Sequence, residues 1–571
     1  MKHGFRLWLF LSLVLLAPIP ALANWPMSGG LGLPIATGPD DQVCKGICTD
    51  GSGGSIVLIQ APAMTAQRID RLGRLVWAPE GIVLSPAGGP TANTGASIAS
   101  DGNGGAFAAW VVAGQASYPL YTKLRLQRVR ADGTLLTLYG TDVSGTDGTS
   151  YDSPGLIPDG AGGVFLAWLG PRTSTTSEVY VQRIDASGTL LWSEPSRVSQ
   201  GDLSRVGPSY ASDGAGGIVI AWKEPGQTST AVLAQRIDGS GTARWGSDGI
   251  VLSASGPYNG AIAVGDDGQG AFVVAWPGVQ DLRAQKIDAA GVPEWADGGV
   301  TVANVATESA SDVIADDEGG VYIGMVRRGA ASLDLFVQHL DADGVALWDP
   351  AGLCVGEERI SSAGYLNRFW LQLVVDGEGG TIAAWSEFAE PPLDNDTDCR
   401  AQRFDSAGNR LWGSFGAVVS TAPQSQDMPF MIPDGKAGAT VAWTQGPGMT
   451  TIGTDVYGQH INRQGKLGTP APPKASSAPV EARLSLQSVR PNPMSDVSTI
   501  GFSIAVASRV RVSLLDVSGH RVRVLFDGPM EAGAHEMRLD TRSGGSRLPS
   551  GLYFVSVDDG RERRTRRIVV Y

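Results

Sequence analysis

Residues 212–222 read SDGAGGIVIAW, and related stretches recur along the chain. Each copy begins with an Asp-Gly turn, which is Asp-Asp at Asp316, and continues into a strand of small and β-branched apolar residues. The turn aspartates follow one another at intervals of about 50 to 60 residues, a period typical of propellers and other repeat arrays. They are Asp50, Asp101, Asp159, Asp213, Asp267, Asp316, Asp376 and Asp434.

The fourth repeat shows how one unit is expected to fold. Residues 208–212 and 218–222 flank the Asp-Gly turn, which tolerates positive φ angles and therefore predicts a β-hairpin. Residues 231–238 form a third strand, and residues 249–253 form a fourth after a second tight turn. We name these four antiparallel strands A, B, C and D. Four such strands are the content of one propeller blade.

Tryptophans recur at two fixed positions of the repeat. One set stands nine residues after the turn aspartate, on strand B, and the other stands four residues after the glycine of the C–D turn. Because large rings at fixed positions can bury much apolar area, we expect them to pack between blades. The two sets are Trp110, Trp168, Trp222, Trp276, Trp385 and Trp443, and Trp77, Trp192, Trp245, Trp295, Trp348 and Trp412.

The two ends of the repeat region complement each other. The eighth repeat stops at Lys466 without a D strand, whereas residues 25–37 resemble an isolated D segment. The sequence therefore predicts an all-β fold, a closed eight-bladed β-propeller over residues 24–468 whose N-terminal strand completes the last blade and leaves no free edge. The A–B and C–D turns define a uniform turn side. The B–C and D–A loops vary, and this loop side is the expected functional face.

The N-terminus predicts export. Residues 1–23 combine Lys2 and Arg6 with an apolar run and a small-residue cleavage site at Ala23, as in a signal peptide. The apolar run is too short to span a bilayer, and no transmembrane span is expected in the mature chain. The net charge of −13 argues against a nucleic-acid partner, because a polyanion would be repelled. The mature protein is therefore expected outside the cell or on its outer surface.

The four cysteines leave several possibilities open. Cys44 and Cys48 are close enough in sequence for a local disulfide, and Cys354 and Cys399 lie in neighbouring repeats. Free buried thiols fit the pattern as well. Metal binding is disfavoured, because neither pair has additional thiols or histidines nearby.

A different pattern begins after the propeller. Residues 469–482 form a Pro/Ala/Ser linker, and residues 483–571 predict about seven alternating strands of a small β-sandwich. The segments SVRPNPMSDVSTIGFSI and LPSGLYFVSV resemble the Ig-like C-terminal sorting domain of type IX secretion cargo, which is close to the FlgD-like Ig domain of flagellar hook-capping proteins. The resemblance implies contact with the secretion machinery, export across an outer membrane, and either anchoring or removal of the domain.

Catalytic signatures are scarce in this sequence. It contains no GxSxG elbow, Walker loop or HExxH motif. His339 and His460 stand where other repeats place a strand-C arginine such as Arg236, so they are expected to belong to a packing and ion-pair pattern.

Three groups of loop residues are candidates for a site. Carboxylates on the loop side could act as a pair in glycoside cleavage; the candidates are Glu357, Glu387 and Asp394. Alternating carboxylates could hold calcium, although the glycine and distal glutamate of an EF-hand loop are missing and a solvated acidic loop fits as well; they are Asp394, Asp396 and Asp398. Loop tyrosines could stack on a sugar or anchor a protein, or simply pack in their loops; they are Tyr118, Tyr121, Tyr151, Tyr258 and Tyr365.

These observations favour an exported or cell-surface binding or scaffold protein without catalytic activity. Its ligand is expected to be an extracellular glycan or protein, and no cofactor is expected apart from calcium in the aspartate loop. The alternative is a secreted carbohydrate-active enzyme, a hydrolase or lyase, that uses carboxylates on the loop side.

Overall fold

The computed structural model describes residues 25–77, 79–85, 91–113, 122–137, 140–143, 152–171, 173, 176–226, 229–256, 260–304, 307–328, 333–355, 370–388, 396–447, 453–468, 484–490, 492, 494–504, 507–516, 520–542, 547–560 and 563–571. The chain divides into two compact units, Met1–Pro470 and Ala471–Tyr571. In the described residues the regular secondary structure consists of strands, and no helix there is long and apolar enough to cross a membrane. The signal peptide predicted for residues 1–23 lies outside these ranges and stays a prediction.

The described residues of the first unit form 32 strands. In chain order they are β1 Leu33–Ala36, β2 Val43–Thr49, β3 Ser55–Gln60, β4 Met64–Ile69, β5 Ile82–Val83, β6 Thr91–Ser100, β7 Ala106–Ala113, β8 Thr122–Val129, β9 Thr141–Asp142, β10 Asp152–Pro158, β11 Val164–Pro171, β12 Ser177–Ile184, β13 Ser196–Arg197, β14 Val206–Ser212, β15 Ile218–Pro225, β16 Thr230–Ile237, β17 Ile250–Gly256, β18 Ala263–Asp266, β19 Phe272–Pro277, β20 Leu282–Ile287, β21 Val300–Ala303, β22 Thr307–Ala315, β23 Val321–Arg328, β24 Leu333–Leu340, β25 Leu353–Cys354, β26 Gln372–Val375, β27 Thr381–Phe388, β28 Thr397–Phe404, β29 Ala417–Ser420, β30 Ser425–Pro433, β31 Ala439–Gly446 and β32 Asp455–Ile461.

These strands form four-stranded antiparallel sheets in a propeller-like arrangement. Sheets 1 to 7 each use four consecutive strands, from β2–β5 to β26–β29, in the order A, B, C, D. Sheet 8 has the order β1-β32-β31-β30, so its fourth strand comes from the other end of the unit. The strands of the fourth repeat lie where the Asp-Gly turn and the apolar runs predict them.

The N-terminal segment supplies the strand that the eighth repeat lacks. β1 pairs antiparallel with β32, with Leu33 opposite Gly458. Beside this pairing the Gln42 amide donates to the Thr454 carbonyl at 2.8 Å. The innermost strands of successive sheets contact each other, and β2 of sheet 1 also contacts β30 of sheet 8. The first and last repeats are therefore neighbours.

Strand B is the most deeply buried strand of each sheet. In β15 every residue from Ile218 to Trp222 is 0% exposed, because the sheet is covered by a neighbour on both faces. This explains why the B strands read as continuous apolar runs rather than as alternating ones. Full burial of one large apolar side chain contributes about 2–3 kcal/mol. The strand-B tryptophans thus lie in the packed interior, as their fixed spacing predicts.

The extended strand β2 keeps Cys44 and Cys48 apart, because four residues of strand span about 13 Å and a disulfide needs Cα atoms within about 7 Å. The register of β2 against β3 shifts between Cys44 and Gly46, so residues on either side of this β-bulge change face. Cys44 packs with Trp25 and Leu33 near sheet 8, whereas Cys48 packs in the cluster shared with sheet 2. Both are free buried thiols, and the possibility of a local disulfide is wrong. Burial raises the pKa of Cys44 to about 12.

The second suggested disulfide is also absent. Cys399 on β28 is a fully buried free thiol, so it does not bond to Cys354. Burial raises the pKa of Cys399, and the nearby carboxylates of Asp398 and Glu387 raise it further. This thiol is therefore protonated and chemically inert at neutral pH.

In the part of the second unit that the structure describes, there are seven strands, as its alternating pattern predicts. They are β33 Leu484–Arg490, β34 Val497–Ile504, β35 Ser508–Asp516, β36 Arg521–Met530, β37 Gly533–Asp540, β38 Gly551–Asp558 and β39 Arg563–Val570. Two sheets result, with the orders β33-β34-β37 and β36-β35-β38-β39. Side chains from both sheets, among them Phe502, Leu539, Val512 and Val555, share one apolar core.

Candidate functional site

The turn side is built from one repeated contact. In the fourth repeat the amides of Ala215 and Gly217 donate to Oδ1 of Asp213 at 2.8 and 2.6 Å. The strand-C residue Arg236 donates from Nε to Oδ2 of the same carboxylate at 2.9 Å. A short acidic side chain that caps its own turn explains why aspartate begins each repeat.

The turn aspartate contacts a strand-C side chain in each repeat of the first unit. Burial opposes ionisation of Asp50, but hydrogen bonds from Ser52, Gly54 and Arg68 hold its pKa below the usual range. The expected ion-pair role of strand C is confirmed for the arginines and for Lys286, and His339 and His460 make the same contact by a hydrogen bond. The pairs are Asp50–Arg68, Asp101–Arg128, Asp159–Arg183, Asp213–Arg236, Asp267–Lys286, Asp316–His339, Asp376–Arg403 and Asp434–His460.

The turn side also ties each sheet to the next. Arg183 of sheet 3 donates from Nη1 to the carbonyl of Gly239 in the C–D turn of sheet 4, at 3.1 Å. The indole N–H of Trp192 donates to that same carbonyl at 3.4 Å. The Gly239 carbonyl thus accepts hydrogen bonds from both the strand-C arginine and the tryptophan of the preceding sheet.

Trp25 makes the equivalent contact between sheet 8 and sheet 1. Its indole N–H donates to the carbonyl of Arg71 at 3.3 Å, and its ring lies against Gly73. Gly73 has φ +81°, and a Cβ there would lie 2.8 Å from the Trp25 backbone nitrogen, so only glycine fits. The sequence interpretation gave Trp25 no role. The signal was available, since Trp25 precedes its strand as Trp245 precedes β17.

Glu387 is the one of the three catalytic candidates that the structure describes. It lies near the loop-side end of β27, where the indole of Trp385 donates to Oε2 at 3.1 Å and Arg400 pairs with Oε1. Asp398 lies directly opposite on β28. The carboxylate is therefore held by one hydrogen bond and one ion pair. Glu357 and Asp394 lie outside the described residues.

The aspartate loop is described only in part. Oδ2 of Asp396 accepts a hydrogen bond from the Gln424 amide at 3.1 Å, which ties sheet 7 to the start of β30. Between Asp396 and Asp398, the buried Thr397 donates to Asp427 at 2.9 Å. Among the described residues no group of three or more His, Cys, Asp or Glu could hold a metal ion. Because Asp394 is not described, calcium binding here stays a prediction.

The loop side also carries an aromatic pair that the sequence interpretation missed. Trp370 is 37% exposed and meets Phe430 of sheet 8 edge to face, with ring centroids 5.1 Å apart. Met428, two residues before Phe430, has φ 52°, a strained conformation that often accompanies functional sites. Trp370 occupies neither repeat position of tryptophan, which was the available signal. The five candidate tyrosines lie outside the described residues.

A second loop-side cluster joins sheets 3 and 4. Arg205 is 1% exposed, and its Nη1 lies 3.2 Å from Oε2 of Glu224. Its guanidinium also donates to Ser199, which in turn lies 3.5 Å from the buried Glu178. Arg197 lies 3.6 Å from Glu178 and balances its charge. Two cations and two carboxylates thus form a neutral network that fixes this loop in place.

The fold and the C-terminal unit define the class, a propeller-like repeat protein that carries a module for export. Residues 488–571 match the family described as the secretion system C-terminal sorting domain. This confirms the resemblance to type IX secretion cargo, and the protein is secreted or displayed at the cell surface. A comparison with curated protein sequences gives no significant match.

Several solved structures are similar to the chain. A PL25 ulvan lyase bound to a sugar shows 13% identity and a TM-score of 0.39, covering 78% of this chain and 97% of its own. An α-L-arabinanase of Penicillium chrysogenum shows 12% identity and a TM-score of 0.31, covering 56% and 96%. A protein of unknown function from Dyadobacter fermentans shows 12% identity and a TM-score of 0.31, covering 55% and 94%. These scores are too low to support an inference about activity.

Proposed function

We propose that this protein is a non-enzymatic binding or scaffold protein that acts outside the cell. Its N-terminal unit binds a ligand on the loop side, and its C-terminal unit engages the secretion machinery. The observation that carries the proposal is the state of Glu387. The Arg400 guanidinium and the Trp385 indole already contact its two oxygens, so the carboxylate takes part in a structural ion pair and hydrogen bond.

The proposal includes the finer architecture. We propose a closed eight-bladed propeller, supported by the β1–β32 pairing and by the Trp25 contact with sheet 1. A closed ring leaves no inner edge for unwanted pairing and gives the loops a rigid base. For the second unit we propose an Ig-like sandwich, supported by its three-stranded and four-stranded sheets around one core.

The ligand class follows from the chemistry of the exposed loop side. Trp370 offers an aromatic ring to solvent, and Phe430 fixes the orientation of that ring. A flat, partly exposed apolar ring suits a sugar, because sugars have apolar ring faces that stack on aromatic side chains. An extracellular glycan is therefore the proposed ligand, with a protein partner as the other possibility.

A glycan array probed with the secreted protein tests this proposal. We expect binding to at least one glycan class, loss of at least tenfold in affinity for Trp370→Ala, and no product release from bound polysaccharide. Phe415→Ala is the matched control, since Phe415 is 47% exposed and directly precedes β29, the D strand of the same sheet. Equal loss of binding in both variants, or no binding to any glycan, would contradict a sugar site at Trp370.

A secreted carbohydrate-active enzyme is the second candidate. One observation favours it: Glu387 and Asp398 face each other across β27 and β28, which places two carboxylates together on the loop side. Glycoside hydrolysis uses such a pair. A turnover screen with polysaccharides decides between the candidates. Cleavage that Glu387→Gln abolishes would establish the enzyme, whereas binding without cleavage supports the scaffold.

A further inference from the structure

The innermost strands of sheets 7, 8 and 1 bring two aromatic rings and a lysine to one level of the loop side. Trp370 lies just before β26, Phe430 lies on β30, and Lys45 lies on β2. Each of these residues stands four to six positions before the turn aspartate of its own repeat. Because strand A of each sheet ends at that aspartate, the three residues lie at a similar height above the turn side.

Hydrogen bonds near the inner edge tie these three sheets to one another. Oε1 of Gln372 on β26 accepts a hydrogen bond from the amide of Met431 on β30. The Cys44 amide on β2 donates to Oγ1 of Thr444 in sheet 8 at 3.0 Å. Phe430 packs against the apolar cluster that contains Cys44. The aromatic pair and the lysine are therefore carried by one continuous framework.

Lys45 is the residue at which β2 departs from regular pairing. Cys44 is opposite Ile59 and Gly46 is opposite Leu58, so Lys45 is the extra residue of the bulge. Its side chain is half-buried, whereas Cys44 and Gly46 on either side of it are buried. A bulge re-aims a side chain and is common beside functional sites. The backbone thus separates Lys45 from the packed residues around it.

The ammonium group of Lys45 has no counter-charge within the described part of the chain. It forms no hydrogen bond or ion pair with any described residue. Burial lowers the pKa of Lys45, and no described carboxylate offsets this effect. A partly buried cation without a partner is costly, because it has lost water and gained nothing in exchange. A bound anion would supply the missing partner.

Other partly buried cations of the loop side do have partners. Lys223 donates from Nζ to the carbonyl of Gly260 at 2.8 Å. Nη1 of Arg205 lies 3.2 Å from Oε2 of Glu224. Their charges are therefore used within the fold, whereas the charge of Lys45 is left for a ligand.

A carboxyl group lies on the opposite side of the aromatic pair. Asp312 is on β22, the innermost strand of sheet 6, and its Oδ2 accepts a hydrogen bond from the Leu373 amide of sheet 7 at 3.0 Å. This level of the loop side therefore has Lys45 at one end, Asp312 at the other, and Trp370 and Phe430 between them. A ligand that lies across the rings is thus expected to turn its negative group towards sheet 1.

We propose that the loop side binds an anionic glycan, with a sugar ring on Trp370 and a carboxylate or sulfate group on Lys45. This inference rests on the proposed glycan-binding function and names the class of glycan. Packed sheets lie about 10 Å apart, so a ligand that reaches from sheet 7 to sheet 1 crosses up to about 20 Å. A single sugar is too short for that span, and the ligand is therefore an oligosaccharide.

Binding of matched oligosaccharides to the full secreted protein tests the proposal. The acidic probes are tetrasaccharides of polygalacturonate and alginate, which carry carboxylates, and of dextran sulfate, which carries sulfates. Each has a neutral counterpart, prepared by carboxyl reduction or by removal of sulfate. We expect at least one acidic probe to bind about tenfold more tightly than its neutral counterpart, because a charge-assisted hydrogen bond is gained. The probe that shows this preference identifies the anionic group.

Three variants assign the preference to Lys45. Lys45→Gln should lower affinity for the acidic probe about tenfold and leave the neutral probe unchanged, whereas Lys45→Arg should keep the preference. Trp370→Ala should weaken binding of both probes. Lys123→Gln is the matched control, since it removes the same charge from an exposed lysine that is paired with Asp142 at 2.9 Å. It should change neither affinity.

The outcomes separate this inference from the proposed function. If the parent binds only neutral glycans or binds both probes equally, or if Lys45→Gln keeps the preference, the glycan site stands and its anionic specificity is overturned. If the parent binds no glycan, both are overturned. If Lys45→Gln does not fold, salt decides: the acidic preference of the parent should shrink between about 0.05 M and 0.5 M salt, because ions screen the attraction. A preference that salt does not change would overturn the proposal.

Discussion

The turn side and the loop side of the same sheets are held together by different means. On the turn side, one set of contacts is used in repeat after repeat: an aspartate, a strand-C cation and a carbonyl of the next sheet. On the loop side, each described cluster occurs once, such as Arg205 with Glu224 or Glu387 with Arg400. The repeated contacts on the turn side therefore specify the fold. The contacts on the loop side differ from repeat to repeat, so that side can form a specific ligand-binding surface.

The largest loss of stability is expected from the turn aspartate. Asp213→Ala leaves Arg236, whose side chain is 17% exposed, without its partner and removes the acceptor of two amides. We expect a loss of about 4 kcal/mol in the free energy of unfolding, measured with chemical denaturant. Asp288→Ala is the control, because Asp288 caps a C–D turn through the amides of Ala290 and Val292. Equal losses would show that the cation contributes nothing.

A smaller but localised loss is expected from Trp25→Ala. This residue is 2% exposed and connects sheet 8 to sheet 1, so its truncation should cost about 3 kcal/mol. Hydrogen exchange should also show lost protection in Leu33–Ala36. Trp192→Ala removes the equivalent contact between sheets 3 and 4 and should leave Leu33–Ala36 protected. The opposite pattern would mean that Trp25 does not hold the N-terminal strand.

Asp312→Asn is expected to stabilise the protein at alkaline pH. Burial raises the pKa of Asp312 from 3.8 to about 7, so its folded form favours the protonated carboxyl. That stability is fully present below pH 3.8 and is lost as pH rises to about 7. Above pH 7 the variant should exceed the parent by on the order of 2 kcal/mol, and near pH 4 the two should match. Parallel pH profiles in thermal unfolding would contradict this.

The smallest change in stability is expected from Trp370→Ala on the loop side. The ring is partly exposed and makes one aromatic contact with Phe430, so the loss should be about 1 kcal/mol or less in denaturant unfolding. Binding should suffer far more than stability. A loss comparable to that of Asp213→Ala would mean that Trp370 belongs to the structural core and not to a recognition surface.

Sequence reasoning succeeded where contacts repeat. The turn aspartates, the strand-C cations and the displaced D strand at residues 25–37 could all be recognised, because the same physical problem is solved in the same way each time. The reasoning failed where the local backbone conformation decides the outcome. The spacing of Cys44 and Cys48 left a tight local turn open, whereas both residues lie on the extended strand β2, which places them about 13 Å apart.

The loop side shows the same limit for the candidate site. Arg205 pairs with Glu224 on the adjacent strand of its own sheet and with Ser199 of the preceding sheet, and Trp370 meets a residue of the following repeat. These residues are close together in the folded structure, but no fixed spacing in the sequence identifies them as partners. Glu387 was a reasonable candidate by residue type, yet Trp385 and Arg400, two residues before it and on the adjacent strand, decide its chemistry.

The pairing of β1 with β32 has a consequence for how the protein is made. The ribosome releases Leu33–Ala36 early, but the partner of that strand, Asp455–Ile461, emerges only near the end of the unit. A truncated chain would keep an unsatisfied β-edge that invites aggregation. In this exported protein, sheet 8 therefore cannot be completed until the whole first unit has been translated.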